Sequence, residues 1–597
     1  MKKKISRTDE KLEQKEALQE DDQRQGQFDS QLFRRAMAFC IPYKKNFAIA
    51  LGFLVFLAAF NLLIPYITKI IIDDGITKKN MDCIVIWSVI FFVSLIFRYF
   101  VQYYQTLIFS ITAQKITNDI RVHLFSHIQK MSINFFNTHE TGRLISRIMS
   151  DVDSMNALIV QGILTLFVDI ATAVGVLFIM FRMNTVLTWW ILLFVPIVVV
   201  CTLFFRKKVR ANYRDLRRKN ASSTGVISEN ITGVKVIKSF AREKSNLNHY
   251  KRVNRTLRKT IIRAVMFATA FSLSLEIATY VCMAVIFFVG AFMIKNAALT
   301  VGAFAAFLQY IERFFGPIRN ITNFYDLLQQ AMAGAERIFA ILDTESEIKD
   351  KDDAHVFDRV IGEVDFKNVS FGYVKDKIIL NDVSFHVPAG HTVAFVGPTG
   401  AGKSTVINLL ARQYDVWDGS ISVDGYDVRD VSQNSLRENT GVVLQDSYLF
   451  MGTIMENIRY GKPDATDEEV IEAAKTVGIY DFIMSLPRGF KTEIKDGSSN
   501  LSTGQKQLIS FARALIADPA ILVLDEATSS VDTNTEKLIQ HALKQLFKNR
   551  TSFVVAHRLS TISEANCIYV IDEGVIKERG SHYELMQIPN GKYRELY

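Results

Sequence analysis

The chain has 597 residues, 49% apolar and 22% charged, with 44 Phe, 10 Pro and a net charge of +9. Several units of roughly 150 residues and so apolar a composition exclude a disordered, collagenous or low-complexity protein. Five scattered cysteines without a CxxC pair support neither a disulfide scaffold nor a zinc site, and a membrane protein with a soluble half is the expected class.

Residues 1–27 carry seven basic and seven acidic side chains and no apolar core of the kind a secretory signal needs, so they read as a polar cytosolic tail. Residues 28–342 read as a membrane domain. Its first segment, FDSQLFRRAMAFCIP, is expected to form a short interfacial helix, with a plain linker as the alternative. Six apolar stretches follow, near 46–72, 84–111, 157–181, 185–205, 264–294 and 297–320. Each reaches the ~20 residues that cross ~30 Å of hydrocarbon as a helix. Six spans place both termini on one side of the membrane. Residues 206–263 carry 18 Lys/Arg against Asp215, Glu229 and Glu243, whereas the opposite loops offer only Lys78, Lys79, Arg182 and Lys295. Basic loops stay inside, so the termini are expected in the cytoplasm of a multi-pass cell-membrane protein. The positive charge is a membrane-side feature, and no nucleic-acid partner is required.

The loops 112–156 and 206–263 are helical in pattern. Ile116, Ile120, Leu124 and Ile128 form one apolar stripe, as expected of stalks that continue out of the membrane. Residues 343–358 read as a charged linker. From 359 to 597, β-rich runs (VDFKNVSF, TVAFVG, ILVLDEA, SFVVAH, CIYVID) alternate with helical ones, which predicts an α/β domain with a mostly parallel sheet.

Gly397-Pro398-Thr399-Gly400-Ala401-Gly402-Lys403-Ser404-Thr405 satisfies GxxxxGK[ST] between a strand, TVAFV, and a helical run, TVINLLARQ. Such a loop turns backbone N–H groups onto a phosphate chain, and the helix N-terminus adds its positive end. Lys403 is placed to reach the outer phosphates and Ser404 to ligate Mg2+. Downstream, Ile521 to Ala527 reads as a buried strand ending in Asp525-Glu526. Metal-assisted phosphoryl transfer needs a carboxylate there, with Asp525 holding Mg2+ largely through water and Glu526 polarising the attacking water.

Leu501-Ser502-Thr503-Gly504-Gln505 resembles the LSGGQ signature of ATP-binding cassette (ABC) proteins, with Thr503 in place of the usual Gly. The other motifs stand in the family's order. The resemblance implies that Tyr373 in SFGY stacks on adenine and that Gln445 in VVLQD senses Mg2+ and the γ-phosphate. It makes Ser530-Val531-Asp532 the D-loop and His557 in VVAHR the switch histidine. In the membrane half, residues 135–144 (FFNTHETGRL) and 229–238 (ENITGVKVIK) resemble the cytoplasmic loops of six-helix exporters of the same superfamily. The expected fold is therefore six transmembrane helices with long cytoplasmic extensions, coupling loops near 135–146 and 221–238, and an α/β P-loop nucleotide-binding domain of ABC type.

One membrane domain and one nucleotide domain in one chain resemble a half-transporter. In that family ATP and Mg2+ lie between one chain's phosphate loop and the partner's signature, so Ser502, Gly504 and Gln505 are expected to close on the partner's nucleotide. The implied function is ATP-driven export of amphipathic drugs, lipids or peptides by alternating access. A dedicated lipid or siderophore translocase and a membrane-anchored regulator without cargo are the alternatives. Thr503 lacks the φ > 0 geometry open to Gly and adds bulk, and Thr492–Ser498 departs from the family's usual TEVGERG-like run. Because family heterodimers often pair a hydrolytically complete half carrying an altered signature with a half lacking the catalytic Glu, the resemblance implies the catalytic half of a heterodimer, with a homodimer tolerating Thr503 as the alternative. Within the spans, Asp169 and Arg98 are expected to pair. Glu276 is assigned either to a cationic substrate or to a water-facing position. Tyr99, Phe100, Tyr103, Tyr104, Phe307, Tyr310 and Phe314 fit an adaptable cavity or ordinary helix packing.

Overall fold

The computed structural model describes residues 29–596 except 375–376, 445–446, 496–499, 526–532 and 556–561. The chain divides into two compact units. One comprises the residues up to Gln129 with Thr141–Thr344, and the other Lys130–Glu140 with Glu345–Tyr597.

The first unit is helical. Helix α1, Ser30–Ala38, starts on the Asp29 side chain, which accepts from the N–H groups of Gln31 and Leu32. The long helices are α2, Lys44–Ile70, and α3, Met81–Gln129. Helix α4, Ile133–Thr138, belongs to the second unit. Next come α5, Leu164–Met183, α6, Thr185–Thr232, the short α7, Val234–Ser239, then α8, Glu243–Lys295, and α9, Val301–Leu342. Three helices of 48 to 53 residues in one unit exceed what a bilayer needs. At 1.5 Å per residue each leaves tens of ångströms of stalk. Among the described residues, five helical segments are long and apolar enough to cross a membrane: Ile41–Ile76, Met81–Gln129, Thr165–Met183, Thr185–Thr202 and Glu243–Lys295. The sixth expected span falls on α9. Gln309, Glu312 and Arg313 interrupt its apolar run, and Ala306, Phe307, Tyr310 and Ile311 are wholly buried against the other spans. A helix enclosed by protein does not have to match lipid around its whole circumference.

Two polar contacts fix α9 against α2. Pro65 lacks the N–H that would bond to the carbonyl four residues earlier. That carbonyl, Asn61 O, accepts instead from the Arg313 guanidinium at 2.7 Å, and the adjoining Leu62 carbonyl accepts from the Tyr310 hydroxyl at 2.6 Å. The expected Asp169–Arg98 pair does not form. Asp169 accepts from the Asn320 amide at 3.0 Å, because α9 and not α3 faces it there. Glu276 is exposed. Phe307, Tyr310 and Phe314 are packing residues in the unit's core, whereas Tyr99, Phe100, Tyr103 and Tyr104 are exposed in the single chain.

The second unit holds two main sheets. Strands β1, Val364–Phe371, β2, Leu380–Val387, β4, Asp418–Val423, and β5, Tyr426–Asp427, form an antiparallel sheet in the order β2-β1-β4-β5. The larger sheet contains β3, Thr392–Val396, β6, Thr440–Val443, β9, Ile521–Asp525, β10, Thr551–Val555, β11, Cys567–Asp572, and β12, Val575–Gly580. Its order is β12-β11-β3-β10-β9-β6, parallel except for β12. The short β7, Gly452–Thr453, and β8, Glu493–Ile494, make a separate ribbon.

All five residues of β10 are buried, as a central parallel strand covered on both faces requires. Alternation along β3 divides the interior. Val393 and Phe395 point into a core shared with the antiparallel sheet and helix α10, Lys403–Leu410. Ala394 and Val396 point into a second core that holds helix α11, Thr503–Ala517. Val393, Phe395 and Val396 each contribute about 1.5–3 kcal/mol of burial, and the single methyl of Ala394 less. The sheet thus carries α10 on one face and α11 on the other.

Candidate functional site

Between β3 and α10 the loop is built on glycine conformations. Gly397 has φ +149°, Gly400 +86° and Gly402 +107°. A Cβ on Gly397 would lie 2.0 Å from the Ile571 carbonyl, and one on Gly402 would lie 2.6 Å from the Leu380 side chain, so neither site admits alanine without displacement. Thr399, Gly400 and Ser404 are exposed at the loop's surface, whereas Ala401, Gly402, Lys403 and Thr405 are buried. The Lys403 ammonium donates to the carbonyls of Gly397 and Pro398 at 2.8 and 2.9 Å, which anchors it across the loop. Burial pushes its pKa below the usual lysine value, and Asp525 opposes that shift.

Register explains why Asp525 is close enough to act. Asp525 pairs with Val555 across β9 and β10, and Val555 pairs with Phe395 across β10 and β3, so the three parallel strands end at one level beside the loop. Ligands of open parallel sheets bind at these carboxyl ends. Glu526 follows Asp525 directly, and His557 stands two residues beyond Val555. Both lie outside the described residues, as do Gln445 and Ser530–Asp532.

Tyr373 stands beside the same helix. Its hydroxyl donates to Thr405 Oγ1 at 3.3 Å and accepts from Asn408 Nδ2 at 3.1 Å. Its ring meets Tyr414 edge-on at 5.0 Å. Tyr414 had no motif to mark it and follows α10 by one turn. Its hydroxyl accepts from the Asn137 amide on α4 at 2.8 Å, and burial raises its pKa. Asn134 on the same helix donates to both oxygens of Glu347 at 2.9 and 3.0 Å. Asn134, Glu347, Tyr373 and Tyr414, with Trp417 and Ile378, border a cavity of about 820 Å3. The chain α4–Tyr414–Tyr373–Thr405 therefore connects α4 to the phosphate-loop helix. Arg412, almost wholly buried, follows the C-cap Ala411 of that helix and donates to the carbonyl of Val431 at 2.7 Å and to Asp350 at 3.3 Å. Sequence reading missed it because a lone Arg after a helix looks like a surface cap.

The signature residues are not brought to this loop. Ser502 is the N-cap of α11 and Gln505 completes a capping box with it; Gly504 is buried. They lie across the sheet from α10. Thr503 is the first helical residue and is not among the residues of positive φ, so the expected backbone strain is absent. What Thr503 adds is an exposed branched side chain at a helix start.

Known proteins fit this arrangement. Residues 47–318 match the ABC transporter transmembrane region, and residues 380–529 match the ABC transporter family. The chain is 37% identical to an ATP-dependent lipid A-core flippase of Desulfotalea psychrophila, over 95% of this chain and 99% of that one. It belongs to the ABC transporters. This ABC transporter is also 39% identical to YgaD of Bacillus subtilis, whose name provisionally assigns it to multidrug export, over 95% and 99% of the two chains. A bacterial Atm1-family ABC exporter solved with ATP bound shares 29% identity and superposes with a TM-score of 0.76, over 93% of this chain and 97% of that one. An ABC exporter of this architecture couples ATP hydrolysis to transport across a membrane.

Proposed function

We propose that the chain is one half of a dimeric exporter that moves amphipathic molecules, drugs or lipids, out of the cytoplasm. The observation that carries this reading is the meeting of the Lys403 loop and Asp525 at one end of the sheet, with Tyr414 linking that end to α4. Names given to the relatives, multidrug export and lipid A-core flipping, support the substrate class. In the mechanism Lys403 and the loop amides hold the phosphates. Ser404 and Asp525, with Gln445 by its place in the motif order, would hold Mg2+ through their oxygens, and the ion would supply charge neutralisation for phosphoryl transfer. Glu526 takes the proton of the attacking water, His557 contacts the γ-phosphate and Tyr373 packs on the base.

Because α11 lies across the sheet from α10, Ser502, Gly504 and Gln505 serve a nucleotide held by another chain. Closure of two such chains on two nucleotides supplies the differential affinity that turns an inward-facing state outward. Moving such an equilibrium from 1:99 to 99:1 takes roughly 5.5 kcal/mol. The exposed apolar residues Ile231, Val236 and Phe240 at the α6–α7 tip suit docking on the partner. The exposed Thr503 at the signature favours an unlike partner, with this chain as the catalytic half. Termini and nucleotide domain are then cytoplasmic.

ATP-dependent uptake of an amphipathic dye into inside-out vesicles tests the function. The native chain with its partner should accumulate dye and Glu526→Gln should not; ATP hydrolysis without any ATP-dependent movement of cargo would make it a regulator.

A further inference from the structure

The start of the first span borders a recess of about 470 Å3, lined by Tyr43, Ser110, Gln114, Lys115, Asn118 and Asp119. It sits where α3 changes from apolar to polar. Ile111 closes its apolar end, and the next turns bring Gln114, Lys115, Asn118 and Asp119. The Tyr43 hydroxyl donates to Asp119 Oδ2 at 2.8 Å, which fixes that carboxylate at the wall of the recess. Lys44 and Lys45, next in the chain, and Arg34 on α1 are exposed, as is Lys115. None of these four cations is in an ion pair among the described residues. The helix bearing Arg34 is held in place. Arg35 grips the Asp343 carboxylate at 2.8 and 2.6 Å and lies 4.2 Å over the Phe339 ring.

Lys115 lines the recess and the exposed Lys44 and Lys45 follow its wall residue Tyr43 in the chain, so cations outnumber its one carboxylate, whose Oδ2 the Tyr43 hydroxyl already occupies, and the balance suits an anion. The position at the edge of two spans makes that anion part of the membrane, since basic residues beside amphipathic helices attract anionic lipid. We propose that this recess binds an anionic phospholipid with a hydroxylated headgroup, such as phosphatidylglycerol. Lys115 and the Lys44–Lys45 pair meet the phosphate. Asn118, Gln114 and the outer oxygen of Asp119 take the headgroup hydroxyls. Acyl chains lie along Ile111 toward the bilayer. A choline headgroup cannot donate to Asp119 and is not retained.

Native mass spectrometry of the full chain, released from nanodiscs containing equal phosphatidylglycerol and phosphatidylcholine, tests this. Phosphatidylglycerol should stay bound and phosphatidylcholine should be lost. Lys44→Gln/Lys45→Gln/Lys115→Gln should weaken retention more than tenfold, at about fivefold per lysine, while Lys115→Arg should keep it. Should the triple variant fail to fold, the single exposed change Lys115→Glu must still reduce retention in a chain that elutes and binds ATP normally. Equal retention of the two lipids, or a folded Lys115→Glu chain that holds phosphatidylglycerol as the native chain does, overturns the assignment.

Discussion

Lys403 illustrates how one side chain reports its site. It is buried, it donates to two carbonyls of its own loop, and its pKa is depressed by burial with Asp525 in opposition. Replacing it by methionine removes a charge-assisted contact, so ATP affinity should fall roughly tenfold to a hundredfold, measurable by fluorescent-nucleotide titration. Its depressed pKa also sets the sign of a pH effect. The ammonium loses its proton at lower pH than a free lysine, and phosphate binding restores it. ATP affinity should therefore weaken as pH rises on the alkaline side, by at most tenfold per pH unit. Calorimetry in buffers of different ionisation enthalpy should detect proton uptake on binding there; a pH-independent affinity and no uptake would remove Lys403 from the phosphates. Gly397 can be tested separately: Gly397→Ala drives a Cβ into the Ile571 carbonyl and should abolish ATP binding by displacing the loop.

Among the elements, α2 and α9 show a proline and an arginine acting as a pair. Pro65 leaves the Asn61 carbonyl without a helical partner in a medium that offers little water, and Arg313 supplies the donor. Arg313→Met should lower stability by about 1–3 kcal/mol, read as a thermal shift in detergent. In a Pro65→Ala background the backbone N–H returns, so the same change should cost less. A double-mutant cycle measures that difference, and strict additivity would deny the link. Helix α4 makes a second pair with Tyr414. Asn137→Ala removes its donor, and the expected result is a reduced substrate-stimulated ATPase rate with the basal rate retained. Equal loss of both rates would mean that the contact only holds the fold.

For the whole molecule the decisive quantity is the number and kind of chains. The opposite placement of α10 and α11 on the sheet means that a single chain does not complete the proposed sandwich. Expressed alone, this chain should show weak ATPase activity, and adding its unlike partner should raise it at least tenfold; full stimulated activity from a stable dimer of this chain alone would refute the unlike pairing.

The sequence by itself determined the class of each half. Runs of about twenty apolar residues have few alternatives to membrane helices, and GxxxxGK[ST] between a strand and a helix is a local backbone requirement that three glycines state outright. Contacts between distant segments are another matter, since they depend on which faces packing brings together. The sequence pairs Asp169 with Arg98 as charges in adjacent spans, whereas α9 sets Asn320 beside it instead. Thr503 in place of Gly implies backbone strain, but its position at a helix start removes the need for positive φ. Tyr414, Arg412 and Arg313 had no motif to mark them. Only the tertiary structure decided their roles, because a hydroxyl or guanidinium takes its meaning from the particular carbonyl, amide or ring that the fold sets beside it.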